Sequence, residues 1–448
     1  MRLSRRQLSP AQLLALSLLG LIGLGTLLLL LPFASARQPL TIVQALFTST
    51  SAVCVTGLIN IDTGSDLSRF GQIVVLVLIQ AGGLGYMAIT TVVAAAIGRQ
   101  LSVQERLTLQ EALNVQTMEG LIRFVITVFK LTLTFELVGA AVLTIAWTSE
   151  MGIVRAAYFG LFHAVSAFNN AGFSLFSDSL IRYRGDWVVN LVIVTLVICG
   201  GLGFVVLTEL GRRRTGARFS IHTRLVLTMT ALLITFGTAV VFVLERVNPR
   251  TLGPLAIDEA LLAAFFQAVT PRTAGFNTVN MADLSLPTLF VIMILMFIGA
   301  APGGTGGGVK VTTFGITVAA LWATVRGMTE PVIFRRRLNP TLVARAFFLS
   351  LIAFLAINMV AALLLITEAR DLLPTLFETI SAFGTVGLSM GETRSPLSLS
   401  GHFTSIGQLL VAASMFMGRI GPLTLAVALA RRRASAPIRY PEGRILVG

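Results

Sequence analysis

Few residues in this chain could carry side-chain chemistry, and they are scattered. The three histidines, His163, His222 and His402, and the two cysteines, Cys54 and Cys199, lie far apart in sequence. They show none of the close spacings of zinc sites or redox pairs. No His-Glu-x-x-His, Gly-x-Ser-x-Gly or paired aspartates fall in the long apolar stretches. An enzyme therefore has no constellation to work with. One run does invite a chemical reading: GGTGGGVK at 303–310. A phosphate loop needs G-x-x-x-x-G-K-[ST] between a strand and a helix. Here Val309 separates Gly308 from Lys310, and Val311 follows the lysine. The run is not a nucleotide cradle.

Backbone chemistry is another matter. Four segments align: FTSTSAVCVTGL (47–58), FHAVSAFNNAGF (162–173), FFQAVTPRTAGF (265–276) and FETISAFGTVGL (377–388). Each has Phe first, Gly eleventh and Leu or Phe twelfth, and three carry Ser-Ala at the fifth and sixth positions. The glycines Gly57, Gly172, Gly275 and Gly387 are 115, 103 and 112 residues apart, a period that marks internal repeats. Each segment reads as a short helix, a glycine turn and an extended strand. The helix C-terminus carries about half a negative charge, which favours a cation. Glycine can take backbone angles closed to other residues, so neighbouring carbonyls can all face one axis. Rings of such carbonyls replace the hydration shell of a potassium ion. The strands expected to do so are Val55, Thr56, Gly57 and Leu58; Asn170, Ala171, Gly172 and Phe173; Thr273, Ala274, Gly275 and Phe276; and Thr385, Val386, Gly387 and Leu388.

The elements that position these strands must lie in a membrane. The chain has 448 residues, 55% hydrophobic and 12% charged, where a soluble domain carries about 25% charged residues. The fold class is all-α integral membrane protein. Spans read at 11–33, 70–98, 121–148, 187–210, 224–244, 286–325, 342–367 and 403–430. Between the two spans of each pair lie segments too short to cross a core of about 30 Å, at 40–53, 154–168, 257–270 and 371–383. These read as re-entrant helices, buried in protein or lining water. The first span is too long for a signal-peptide core, about 7–15 residues. The domains are four units, 1–98, 99–211, 212–327 and 328–433, followed by a tail at 434–448. Four like units suggest pseudo-fourfold symmetry around one pore.

The second spans carry a further repeat: GGLG at 82–85 and 200–203, GGTG at 303–306 and GRIG at 418–421. Close helix packing would account for these quartets equally well. Most of the 34 basic residues stand at the ends and at the joints between units. By the positive-inside rule both termini and the joints are cytoplasmic. The net charge of +14 is thus a topology signal and not a nucleic-acid surface. The loops within units are richer in acids, among them Asp62, Asp66, Asp178, Asp258 and Glu392, and would concentrate cations at the mouth.

SAVCVTGL, AFNNAGFS, TPRTAGFNT and AFGTVGLS resemble the four filters of the Trk/Ktr/HKT superfamily of potassium transporters. The resemblance covers nearly the whole chain. Eight spans and the tail RYPEGRILVG point to its KtrB-type branch. The resemblance implies potassium uptake across the plasma (inner) membrane, K+ as substrate, no covalent cofactor and Na+ as an activator. It implies a homodimer with one pore per subunit, surrounded by membrane lipids, and a cytosolic nucleotide-binding ring of the KtrA type. Gly57, where some relatives have a sodium-passing serine, implies potassium preference. The break in the third unit becomes an intramembrane gating loop, and Arg419 a barrier residue in the pore.

Single residues have plainer readings beside these. Arg419 costs about 2.5–3.5 kcal/mol at mid-span, so it faces the pore or pairs with Glu136 or Glu378. Lys130 snorkels and Glu136 is paired or polar-facing. Arg272 faces away from the cation path, held by carboxylates or carbonyls. Asn169 and Asn170 bond behind the second filter or merely form its turn. One helix over 286–325 would reach about 60 Å, twice the membrane core, so it breaks at the glycines and Pro302. The break is read as a loop of Gly303, Gly304, Thr305, Gly306, Gly307 and Gly308 across the pore. Lys310 closes it through a carboxylate or carbonyls. The rival class is a secondary transporter with broken helices at a midplane site, which predicts two related halves where the sequence has four units.

Overall fold

The computed structural model describes residues 10–85, 107, 110, 120–212, 218–392 and 395–421. The basic N-terminus, most of the first joint, the ends of the second and last spans and the tail lie outside these residues.

Four long helices open the four units: α1 (Pro10–Leu29), α4 (Leu121–Met151), α8 (Ile221–Glu245) and α12 (Pro340–Glu368). Each is long and apolar enough to cross a membrane, yet only 22–33% of its apolar window is buried. The remainder is a surface suited to lipid. The re-entrant helices are α2 (Ile42–Cys54), α5 (Ile153–Phe168), α9 (Ile257–Val269) and α13 (Leu372–Gly384). They are the molecule's interior: Thr48, Ser49, Thr50 and Ser51 of α2 are all buried. At 13 to 16 residues each reaches only about 20–24 Å. Polar side chains inside a membrane fold belong where other protein surrounds them.

The second helices are shorter than the sequence spacing suggests. They are α3 (Arg69–Leu84), α6 (Trp187–Gly201) with α7 (Phe204–Arg212), α10 (Leu286–Phe297) with α11 (Val311–Val325), and α14 (Ser405–Ile420). The break in 286–325 occurs where the glycines demand it. The reading of 187–210 as one span is corrected: α6 and α7 meet at 102°. Gly203 has φ +88°, an angle no helix interior admits. α3 and α14 likewise stop before Gly85 (φ +79°) and Gly421 (φ +88°). Three of the four quartets thus end a helix, and the third, 303–306, lies in the loop between α10 and α11. Close packing holds too: a methyl on Gly82, Gly200 or Gly418 would strike the carbonyl of Val53, Phe168 or Phe383 at the foot of a re-entrant helix.

Each re-entrant helix packs against the first helix of its own unit, and the second helix of each unit packs against the next unit's re-entrant helix. The pairs are α3 with α5, α6 with α9, α10 with α13 and α14 with α2. The sequence of contacts follows chain order and closes on itself.

Candidate functional site

All four re-entrant helices end in the same backbone device. The ninth position of each repeat is left-handed: Val55 (φ 57°), Asn170 (59°), Thr273 (71°) and Thr385 (50°). Two residues on, Gly57, Gly172, Gly275 and Gly387 have φ of 93°, 70°, 80° and 89°. Left-handed Val and Thr cost of order 1–3 kcal/mol and persist only where surroundings impose them.

The imposing groups are the fifth-position serines. Thr56, Ala171 and Val386 donate their N–H to the carbonyls of Ser51, Ser166 and Ser381, each at 2.8 Å. The serine hydroxyls then hold the strand. Ser51 and Ser381 accept from Gly57 and Gly387 at 3.1 Å, and Ser166 donates to the Phe173 carbonyl at 2.8 Å. The third unit substitutes Thr270, whose carbonyl takes the Ala274 N–H at 2.9 Å and whose hydroxyl donates to Phe276. The tenth-position amides of all four strands are spent on scaffold. The carbonyls of residues nine, ten and eleven receive no hydrogen bond from any described residue, the Thr56, Gly57, Val386 and Gly387 oxygens included. Buried backbone oxygens normally have partners. These serines escaped individual notice in the sequence, although their recurrence was its visible signal. Ser381→Ala is expected to lower potassium-over-sodium preference about fivefold, the weight of one net hydrogen bond. Competitive rubidium uptake at varied sodium measures it.

The four glycines touch in chain order. A methyl on Gly172 would lie 2.7 Å from the Gly275 Cα. One on Gly275 would lie 2.8 Å from the Val386 carbonyl and 3.5 Å from the Gly387 Cα. One on Gly387 would lie 3.1 Å from the Gly57 Cα, and one on Gly57 3.2 Å from the Gly172 Cα. On one side the four glycines line a single cavity of about 590 Å³ with Asp62, Asp178 and Glu392. Two of these acids are paired, Asp178 with Arg182 and Glu392 with Arg370, both at 2.8 Å.

On the other side lies the glycine loop. The Gly307 N–H donates to Thr385 Oγ1 at 3.0 Å. Thr305 Oγ1 donates to the Phe168 carbonyl at 3.2 Å and meets the Asn170 amide at 3.1 Å. A methyl on Gly306 would strike Thr273. The loop thus touches the ninth-position side chains of three units. Lys310 Nζ donates to the Gly306 carbonyl at 2.7 Å, so its partner is a carbonyl and not a carboxylate. Arg419 donates to the carbonyls of Thr305 and Gly82, bridging the loop to the first unit's quartet. It pairs with neither acid weighed for it. Glu136 accepts from Gln80 at 3.1 Å and Asn169 at 2.9 Å, and Glu378 from Ser389 at 2.6 Å and Ser400 at 2.9 Å. Lys130 is exposed on α4. Arg272 lines a small cavity with Leu202, Thr230 and Val269, apart from the cavity that the glycines line. Its Nη1 meets no carboxylate or carbonyl among the described residues.

This fold and site define a class: a multi-pass helical membrane protein in which four short buried helices bring their glycine turns together. The chain belongs to the TrkH cation transport protein family, whose model matches residues 11–437. It is 42% identical to the Ktr system potassium uptake protein B of Bacillus subtilis (strain 168), over 98% of this chain and 97% of that one. It is 40% identical to the protein of the same name from Vibrio alginolyticus, over 97% and 94%. It is 37% identical to the potassium/sodium uptake protein NtpJ of Enterococcus hirae, over 99% and 98%. The crystal structure of the potassium transporter TrkH from Vibrio parahaemolyticus shares the fold, with a TM-score of 0.75 at 19% identity, covering 96% of this chain and 87% of that one.

Proposed function

We propose that the chain is the pore-forming subunit of a Ktr-type system for potassium uptake across the plasma membrane. The observation that carries this is the set of four glycine strands, each against the next, with their tenth-position amides engaged and the carbonyls of residues nine to eleven without donors among the described residues. Four M1–pore helix–M2 units, 1–98, 99–211, 212–327 and 328–433, surround one pathway with pseudo-fourfold symmetry. Carbonyls of Val55 to Leu58 and their three counterparts select the ion by replacing its water.

The loop 303–308 closes the path beneath the filter, held by Lys310, and Arg419 sets a positive barrier there. The acid-lined cavity faces outside and both termini face the cytoplasm, in keeping with the arginine-rich joints. The family relationship supports a homodimer and a cytosolic nucleotide-binding ring of the KtrA type. The paired ions in the name of the NtpJ relative support Na+ as an activator.

The test is rubidium uptake into liposomes holding the purified protein, driven by a potassium gradient. Uptake blocked by potassium but not by equal sodium is expected. Absence of ion-driven uptake from folded protein, with 303–308 deleted as well as intact, would reject the assignment.

A further inference from the structure

The glycine loop belongs in sequence to the third unit, but much of what holds it belongs to the second. A helix end leaves its last carbonyls and first amides without partners. At the corner between α6 and α7 the loop supplies them. The Gly200 carbonyl takes the Thr305 N–H at 3.2 Å, and the Gly201 carbonyl takes the Ala301 N–H at 3.0 Å. In return the Phe204 N–H, the first of α7, donates to the Gly303 carbonyl at 2.9 Å. These bonds run both ways across the corner. Within the third unit, the loop's ends are joined by Gly299 N–H to Val309 and Val311 N–H to Ala300, at 2.8 and 3.1 Å.

The fit at the corner admits no side chain. A methyl on Gly203 would lie 2.7 Å from the Pro302 carbonyl. One on Gly304 would lie 2.9 Å from the Gly200 carbonyl and 3.2 Å from the Gly203 Cα. The first unit carries the same quartet and the fourth its GRIG variant, and both pack the first glycine in the same way. Among the described residues, however, no loop backbone pairs with the ends of α3 and α14. Beyond the corner, α7 buries Phe204, Val206 and Leu207. Its Glu209 accepts the N–H of Ser220 at 3.0 Å, the residue that caps α8. α7 is therefore tied at one end to the loop and at the other to the joint between the second and third units.

We infer that the α6–α7 corner is the seat of the gate. Gly203 is its hinge and the Phe204 amide its releasable contact, so displacement of α7 from the joint side frees the loop. The inference rests on the reading of 303–308 as a gate. Phe204 and Gly203 are positioning residues: they act on the path through the loop.

Proline at the first position of a helix is tolerated and lacks only the N–H. Phe204→Pro and Phe204→Ala therefore both lose the ring and differ at the hydrogen bond to Gly303. In liposomes holding the protein alone, Phe204→Pro is expected to leak rubidium about fivefold faster than Phe204→Ala, the weight of one hydrogen bond, at equal melting temperature. Gly304→Ala loosens the same seat from the loop side without touching α7, and is expected to leak in the same direction. Deletion of 303–308 is the reference. If the deletion leaks while Phe204→Pro matches Phe204→Ala and Gly304→Ala stays tight, the gate stands and its seat lies elsewhere. If the deletion itself stays tight, gate and seat fall together.

Discussion

Gly57→Ser is expected to lower potassium-over-sodium preference at least about tenfold. The residue sits at φ +93°, and its Cβ would run into the Ala171 carbonyl and reach the Gly172 Cα at 3.2 Å. An L residue at such an angle costs of order 1–3 kcal/mol. Relief comes only by moving one strand relative to the next, and every 1.4 kcal/mol so lost from one ion's site is tenfold. Gly275→Ser attacks the opposite side of the same ring, where the Val386 carbonyl lies 2.8 Å from the added methylene. It should act alike. Rubidium uptake competed by sodium reads both. If both folded variants keep the wild-type preference, the glycine strands do not select the ion.

The second large effect is expected at Arg419. Its guanidinium donates to the Thr305 and Gly82 carbonyls, and hydrogen bonds from charged groups contribute about 1.5–3 kcal/mol each. Arg419→Ala removes two ties on the loop together with a positive charge beside the proposed cation path. Potassium flux is expected to rise about tenfold or more. On the proposed reading of the loop as a gate, deleting 303–308 should give a leak less dependent on a cytosolic partner. A structural bolt would behave differently: the melting temperature would fall and the flux of the remaining folded protein would not change.

Elements and repeats were legible because the membrane makes length and polarity severe constraints. Short apolar segments ending in glycine had to stay inside, and a run of 40 residues holding Pro302 had to break. The α6–α7 corner was not legible, because GGLG at 200–203 is spelled as at 82–85 and only a non-local partner, the loop, shows what the second copy holds. The choice between carbonyl and carboxylate for Lys310 turned on one side-chain distance, beyond the reach of spacing. Arg272 was judged by the expectation that a buried cation finds an oxygen, and that expectation failed. Ser51, Ser166 and Ser381 were visible as a pattern. Their part in holding the strand amides of Thr56, Ala171 and Val386 needed the third dimension.

The loop and Arg419 each occur once, while the strands they serve occur four times. Four separate identical subunits could not do this. A loop inserted into one would be inserted into all, and four loops would compete for one opening. An arginine in one would likewise place four guanidiniums around a single axis. Joining the copies into one polypeptide lets a single copy diverge. The lasting gain of the fused chain is freedom to be asymmetric at the centre, where one loop, tied by one arginine, packs against the ends of the short helices.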